Sequence, residues 1–479
     1  MHLFSIRPLR FILFAAAIGI KMLLVLSCAN IIPPTGGPRD SLPPTLISAV
    51  PQNNSTRFDS KKVVFNFDEF LELKDVQQNI TVSPVPKQDP LFQYKLRTIT
   101  IQIRDTLEPN TTYTINFGKS IRDINEGNIL KNFSYTFSTG TYIDSLEQSG
   151  NIIIASTGSV DSSLIAMLYS NPNDSAVIKD RPRYIARCDS SGHFLFRNLK
   201  GGQYRIYALK DEGGQRKYLS KSQYFAFADE PVTIGLQNNP VTLYAYNDTS
   251  GTRSTGSKSG SKQKAAAPPK PSEKEKVKRL VINTNTGDGA LDILGNLIFV
   301  FEHPLKYFDS TKVRFTDDKF ADIKSYHYEM DSTKKKITLI TRWDLGQNYH
   351  WIAQKDFAED SLGDKLLKID TITIRTRSSS DYGSLRIRFI NLPMDRHPVL
   401  QFMQQDALKK SQKMTSNLFF DKLFLPGDYD LRILYDDNDN GVWDPGEFFI
   451  KHKQPEKVIR LKKKLTVKGN WDNQVEYQL

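Results

Sequence analysis

Cysteine is almost missing from this 479-residue chain, which carries only Cys28 and Cys188. With Cys28 used in an anchor, as argued below, no disulfide can form within a monomer, so the fold has to rest on packing. An exported chain rarely keeps a reactive thiol exposed, so Cys188 is expected to be buried on a strand as a structural residue. Histidine is also scarce. His2, His193, His303, His327, His350, His397 and His452 are scattered, and none forms an H-x-H or H-x-x-x-H pair, which leaves zinc catalysis without a ligand set. There is no G-x-S-x-G elbow and no glycine loop built to cradle phosphate. Asp68 and Glu69 are adjacent carboxylates, but acidic residues that end a strand are commonplace and do not make a glycoside-cleaving pair. No catalytic constellation is visible, and the chain reads as non-enzymatic.

What is present begins at the N-terminus. Arg7 and Arg10 precede the apolar run Phe11–Ile20, and Met22–Leu26 carries it to Ser27-Cys28. Basic, apolar, then small-residue-plus-cysteine is the order of a secretory signal, and Val25-Leu-Ser-Cys28 resembles a bacterial lipobox. The resemblance implies a signal peptide at 1–27, cleavage before Cys28, and acylation of Cys28 as the membrane anchor. Lys21 and Leu26 depart from the pattern, so a short membrane helix and an ordinary cleaved signal stay open as alternatives. Residues 28–43 hold Pro33-Pro34 and Gly36-Gly-Pro38, which suit a semi-extended tether rather than helix or sheet.

The formal charge is +12, a value that invites a nucleic-acid reading until it is located. Thr249–Arg279 holds nine basic residues against Glu273 and Glu275, a surplus of seven that is more than half of the total. Residues 248–278, rich in Ser, Gly, Lys, Ala and Pro, cannot bury a core and read as a flexible basic linker. Its charge is either solvated or drawn to anionic headgroups or polysaccharide. Nucleic acid is not expected as a partner outside the cytoplasm.

Hydrophobic residues make up 39% and aromatics 11%, ample for globular packing, and the length suits several domains. From Pro44 onward, short runs alternate apolar and polar: Lys62–Phe67, Thr98–Ile103, Thr112–Phe117 and Phe133–Phe137. Each is bounded by Asn, Pro, Gly or Asp, the pattern of an antiparallel sandwich. Leu107-Glu-Pro-Asn-Thr-Thr-Tyr113 has the form of a sandwich corner in which the tyrosine hydroxyl bonds back to backbone; an ordinary half-buried strand tyrosine is the alternative. Pro51-Gln-Asn-Asn-Ser, Phe67-Asp-Glu, Thr81-Val-Ser-Pro84, Ile121–Asn128 and Thr136-Phe-Ser-Thr-Gly140 together resemble the bacterial Ig-like domain first known from surface-layer proteins. That resemblance implies an Ig-type sandwich at 44–140 used as a spacer or adhesive module, with no catalytic residues.

A second β-rich unit occupies 148–247. In Gly192–Tyr204 the pair Phe194/Phe196 faces one side, Gly201-Gly202 makes a turn, and Tyr204 opens the return strand. It resembles the prealbumin-like modules of bacterial surface proteins and of carboxypeptidase accessory domains, which implies a non-catalytic sandwich of seven or eight strands. After the linker the pattern recurs. Residues 279–378 repeat the Ig-like spacing, with Leu345–Tyr349 answering Leu107–Tyr113 and Lys355-Asp356…Gly363 answering Arg122-Asp123…Gly127. Residues 383–479 repeat the second unit, with Leu418–Tyr429 mirroring Phe194–Tyr204. The expected fold is all-β: tandem antiparallel sandwiches, one Ig-like and one prealbumin-like, with the pair duplicated.

One motif carries chemistry. Asp436-Asp-Asn-Asp-Asn-Gly-Val-Trp-Asp-Pro-Gly-Glu447 fits the twelve-residue calcium-loop template. Asp436, Asn438, Asn440 and Asp444 would offer side-chain oxygens, Val442 its carbonyl, Gly441 the sharp turn, and Glu447 a bidentate carboxylate. The flanks, Tyr429–Tyr435 and Glu447–Ile450, read as strands, so the setting is strand–loop–strand rather than EF-hand. A loop held by Asx-turns without Ca2+ is the alternative. Asp211-Glu-Gly-Gly-Gln215, the equivalent in the second unit, has lost most ligand positions. Trp343, Trp351, Trp443 and Trp471 are read as core residues in preference to sugar-stacking ones.

These features converge on a cell-envelope lipoprotein, a modular scaffold or spacer stiffened by calcium and held to the membrane through lipidated Cys28. Asp40-Ser-Leu, Asp144-Ser-Leu, Asp360-Ser-Leu and Asp370-Thr-Ile resemble the O-glycosylation acceptor of Bacteroidetes-type bacteria. Ala29-Asn-Ile-Ile lacks the acidic cluster of a surface-export signal, so the expected address is the periplasmic face of the outer membrane. A calcium-dependent module that binds a glycan or an envelope protein for adhesion or nutrient capture is the alternative, and an accessory module of a hydrolase is a third. The sequence fixes neither partner nor oligomeric state.

Overall fold

The computed structural model describes residues 40–248, 279–286 and 289–479. Cys28, the tether up to residue 39 and the basic linker from 249 lie outside them. Among the described residues the secondary structure is strand, apart from single turns of helix such as Val76–Asn79 and Ala176–Lys179, and the chain divides into two compact units, the first ending at Tyr142 and the second comprising Ser83–Val85 and Ile143–Leu479.

In the first unit, Leu46–Val50, Lys62–Phe67, Thr98–Gln102 and Leu91–Lys95 form one antiparallel sheet in the spatial order 1-2-4-3. Thr81–Ser83, Thr112–Asn116 and Ser134–Ser138 form the other. The alternation dictates the burial: Val63, Phe65 and Phe67 point inward and stay almost wholly buried, while Lys62, Val64 and Asn66 do not. Phe65 lies opposite Ile99, and Val63 opposite Ile101. Phe65 meets Phe117, Phe133 and Tyr135 edge-on at 5.1–5.8 Å, the favoured aromatic geometry.

Residues 279–378 rebuild this sandwich within the second unit. Ile282–Thr284, Leu297–Phe301, Lys336–Thr341 and Tyr326–Met330 make one sheet, and Ala290–Leu291, Asp370–Thr376, Asn348–Ala353 and Val313–Asp317 the other. The duplication extends to single hydrogen bonds. The Tyr113 hydroxyl accepts from the Glu108 N–H at 2.9 Å, and the Tyr349 hydroxyl from the Asp344 N–H at 3.1 Å. Thr139 Oγ1 donates to the Glu108 carbonyl and Thr376 Oγ1 to that of Asp344, at 2.7 and 2.6 Å. One correspondence needs correcting. Asp123 is buried and accepts from the N–H groups of Glu126, Gly127 and Asn128. Its counterpart is Asp360, equally buried and accepting from Leu362 and Asp364, and not Asp356, which lies at the surface paired with Lys312. Burial selects the match that sequence spacing missed.

The other two modules share a second topology. In one, His193–Leu199, Leu146–Ile154 and Val241–Ala245 form a sheet whose last pair is parallel. It packs on Tyr184–Arg187, Leu164–Tyr169, Gly202–Lys210 and Phe225–Phe227, with Val232–Ile234 paired to the start of the third strand. In the other, Leu418–Phe424, Gly383–Ile390 and Asp472–Gln478 face Ala407–Lys413, Pro398–Gln404, Gly427–Tyr435 and Lys457–Arg460, with the same parallel closing pair. Tyr204 donates to the Lys200 carbonyl and Tyr429 to that of Leu425, each at 3.0 Å, locking the turn that leads into Gly202 and Gly427. Phe194 and Phe196 are buried side by side. Cys188 is buried as expected, one residue beyond its strand rather than on it.

Candidate functional site

The acidic loop leaves the strand Gly427–Tyr435 and returns as Lys457–Arg460. Asp436 is fully buried at its root, and its two carboxylate oxygens accept from the N–H groups of Asn440 and Gly441. Gly441 takes φ +80°, the left-handed conformation that lets the chain turn around the carboxylate. Asn438 and Asn440 both donate side-chain N–H to one oxygen of Asp444, the latter at 2.9 Å. The side chains from loop positions 3, 5 and 9 are therefore drawn together, while that of position 1 holds the loop backbone.

Glu447 is not drawn in. Its carboxylate pairs with Lys451 at 2.9 Å, and its backbone bonds both ways with Lys453. The acid that faces the loop is Glu456, whose carboxylate accepts from the Asp437 and Asp444 N–H groups at 3.0 and 2.9 Å. Burial pushes the Glu456 carboxyl above its usual range, and the charges of Asp436 and Asp444 add to the rise. Among the described residues, no group of three or more His, Cys, Asp or Glu stands close enough to hold a metal. Asp436, Asn438, Asn440 and Asp444 are of the residue types that bind a hard cation, but the oxygens of Asp436, Asn438 and Asn440 accept from N–H groups of the loop, and Glu447 pairs with Lys451. The Val442 side chain is exposed and its N–H donates to Asn440 at 2.7 Å.

The second module shows what the loop was built from. Asp211, 225 positions earlier, accepts from the Gln215 and Arg216 N–H groups at 3.0 Å each, and Arg216 holds φ +57° where Gly441 holds +80°. Both copies use a carboxylate as loop cap. Only the later copy surrounds it with Asn438, Asn440 and Asp444.

Beyond the loop, expectation and structure part. Glu447–Ile450 is not a strand but one limb of a tongue, closed by the Glu447–Lys453 bridge. Phe448 is buried against the second module, where its ring lies 5.6, 5.1 and 5.0 Å from those of Tyr207, Phe225 and Phe227. His452 Nε2 meets Asp174 Oδ2 at 2.7 Å, and Gln454 donates to the Phe227 carbonyl and to Asp229. The Val458 N–H donates to the Ala155 carbonyl at 2.9 Å, and the Lys457 ammonium sits 4.3 Å above the Tyr244 ring. Gly446 passes so near Tyr246 that a Cβ would stand 2.8 Å from its ring. The second and fourth modules are therefore in direct contact.

A signal for this contact was present. Leu164-Ile-Ala-Met-Leu-Tyr169 is buried at every position, which a sheet with one wet face does not require. Leu164, Ala166 and Leu168 fill the module's own core, while Ile165, Met167 and Tyr169 join the cluster that contains Phe448. Trp443 packs at the base of this cluster and donates to the Glu456 carbonyl at 2.7 Å, while Trp343 and Trp351 are buried in the third module. Trp471 is 63% exposed, contrary to the core reading.

Residues 40–139 match a family model described as a bacterial Ig-like domain. No curated protein matches the chain. Among solved structures, native alpha-2-macroglobulin from Escherichia coli (domains MG0-NIE-MG1) is 14% identical over 39% of this chain and 72% of that one, with a TM-score of 0.20. The N-terminal part of the bacterial S-layer protein SbsC is 16% identical over 43% and 45%, with a TM-score of 0.16. BcpA, the major pilin subunit of Bacillus cereus, is 10% identical over 70% and 98%, with a TM-score of 0.15. The chain is thus similar in sequence to an Ig-like family over its first module, and spans less than half of the S-layer fragment.

Proposed function

We propose that the protein is a non-enzymatic cell-envelope lipoprotein, held to the outer membrane through acylated Cys28 and acting as a modular β-sandwich scaffold. The observation that carries this reading is the duplicated pair of sandwiches, each filled by its own aromatic core and pinned at its turns by a tyrosine hydroxyl. Such modules place their ends at fixed separations and invest their buried side chains in rigidity. The address follows from the lipobox-like Val25–Cys28, and the periplasmic face from the residues after it. Replacing Cys28 with Ala should move the protein from the membrane to the soluble fraction; retention in the membrane would overturn the anchor. Protease treatment of intact cells should leave 248–278 uncut until the outer membrane is permeabilised.

The proposal includes calcium at the Asp436 loop, supported by the twelve-residue spacing and by the clustering of the Asn438 and Asn440 side chains on the Asp444 carboxylate. The intact protein should melt several degrees higher in calcium than in chelator, and Asp444→Ala should erase the difference. An unchanged melt would remove calcium from the proposal and leave the scaffold standing. The alternative, a calcium-dependent module binding glycan or protein, called for an exposed aromatic beside the loop. Trp443 is instead committed to the tongue's base, which favours the scaffold.

A further inference from the structure

We propose that the tongue Phe448–Lys453 is an intramolecular lock. Docked, it joins the second and fourth modules into one body; released, it lets them part, so that the chain has a short and a long state. This goes beyond the scaffold reading and does not depend on calcium.

The lock follows from where the contacts fall along the chain. Asp174 and His452, which meet at 2.7 Å, are 278 residues apart. Everything between them, including the third module, is held in a loop whose two ends are pinned at the tongue. A load applied between the second and fourth modules therefore passes through Phe448, its socket and the flanking contacts of Gln454, Lys457 and Val458, and bypasses the third module. When the tongue leaves, the load runs through the whole intervening chain and the distance between the modules grows.

The contact has the composition of something that opens. One aromatic side chain, Phe448, is fully buried as its anchor, while its neighbours Phe449 and Ile450 remain 42% and 79% exposed. The polar links sit at the rim: the side chains of His452 and Asp174 are 44% and 32% exposed. The Tyr207 ring, which Phe448 meets edge-on at 5.6 Å, carries a buried hydroxyl without a hydrogen-bond partner, a cost that the docked state bears. The socket has partners of its own besides the tongue. Phe225 and Phe227 belong to a strand paired with Gly202–Lys210, and Tyr218 stacks on Phe225 at 4.2 Å. Within the tongue the buried area is concentrated on one central aromatic, the pattern of an interface whose energy rests on few side chains.

The duplication supplies the control. The corresponding loop of the second module, between Lys210 and Phe225, is shorter and folds back on its own sheet through Tyr218. The tongue is thus an elaboration of one copy alone, placed where it reaches another module.

The test uses the full chain in detergent, comparing wild type with Phe448→Ser, Phe448→Leu and Gly446→Val. Hydrogen exchange at Val458, whose N–H is held by Ala155, should accelerate at least tenfold in Phe448→Ser and Gly446→Val, and the Stokes radius should increase. Phe448→Leu, which refills the socket, should restore most of both. Exchange across His193–Leu199 and Leu385–Phe389 should stay unchanged, and the peptide bearing Cys188 should remain unalkylated, which shows that both modules are still folded. If those controls hold while Val458 exchange and the Stokes radius stay at wild-type values, the lock does not exist. Loss of the controls in Phe448→Ser passes the decision to Gly446→Val, which leaves the anchor side chain in place.

Discussion

Tyr113 and Tyr349 stand 236 positions apart and make the same bond, each hydroxyl accepting from the backbone N–H five residues upstream. The hydroxyl is what fastens the strand to the preceding loop. Tyr→Phe at either position keeps the ring and removes the bond to a backbone N–H on an exposed residue, a change that costs about 0.5–1.5 kcal/mol. Tyr113→Phe should lower the unfolding midpoint of the first module alone, and Tyr349→Phe that of the third, by similar amounts in denaturant titration. No loss at Tyr349 would mean that the repeat preserves the shape of the corner without its energetics.

Asp436 and Asp211 separate loop-capping from cation binding. Each carboxylate accepts two backbone N–H groups, and charge-assisted bonds of this kind contribute about 1.5–3 kcal/mol. Asp211→Asn and Asp436→Asn should both destabilise the chain in chelator, to a similar degree. Only Asp436→Asn should also reduce the calcium-dependent rise in melting temperature. A calcium response surviving Asp436→Asn would place the cation elsewhere.

Alkaline pH should weaken the protein before its surface lysines discharge. Burial pushes the Cys188 thiol up to about 12, and Tyr204, Tyr207 and Tyr477 to about 12, with neighbouring groups contributing in each case but Tyr477. In the unfolded chain these groups ionise near 8.5 for the thiol and about 10 for the phenols. Between those values and 12 the unfolded state holds fewer protons than the native one, so stability present below pH 8.5 is lost as pH rises toward 12. Denaturant midpoints measured from pH 7 to 11 should fall, the tyrosinate absorbance left after the exposed tyrosines such as Tyr94 and Tyr142 have ionised should appear together with unfolding, and Cys188 should resist alkylation until then. A flat midpoint across that range would contradict the burial of these groups.

Acid acts on a different residue. Burial raises the Asp123 carboxyl, but the N–H groups of Glu126, Gly127, Asn128 and Asn125 outweigh it, and the net effect holds the carboxyl below its usual range. A depressed carboxyl gives stability that is present above the unfolded value, about 3.9, and is lost as pH falls through the folded one. The first module should therefore lose stability below pH 4, and Asp123→Asn should remove that part of the dependence. An unaltered acid limb in the variant would assign the effect to other carboxylates.

The sandwiches were legible because one wet face forces alternation: Lys62–Phe67 and Lys336–Thr341 lie where period two placed them. Tyr113 and Tyr204 were legible as corner and turn residues because a hydroxyl at the start of a strand has few partners other than local backbone. The tongue was not legible, since Phe448 satisfies no local pattern; its partners Tyr207, Phe225 and Phe227 lie more than 200 positions earlier. Glu456 escaped for a similar reason, because it lies outside the twelve-residue template and reaches the loop only once the tongue has closed on itself. Asp123 was paired with Asp356 because spacing alone cannot tell a buried acid from a surface one.

Gly150 shows how a glycine inside a strand can be a packing requirement. It lies in the middle of the strand Leu146–Ile154, between Phe194 on one side and Val241 on the other. A Cβ at this position would stand 2.1 Å from the Val241 carbonyl oxygen and 2.4 Å from the Phe194 ring. Neither can yield easily, because Phe194 is buried in the module's core and Val241 belongs to the parallel pair that closes the sheet. Overpacking of this kind costs about 1–3 kcal/mol, and more where backbone has to move. Gly150→Ala should therefore destabilise the second module by at least that amount, and Gly150→Ala with Phe194→Leu should recover part of it by freeing space on one side. Equal instability of the single and double variants would show that the Val241 contact, and with it the parallel closing pair, sets the requirement.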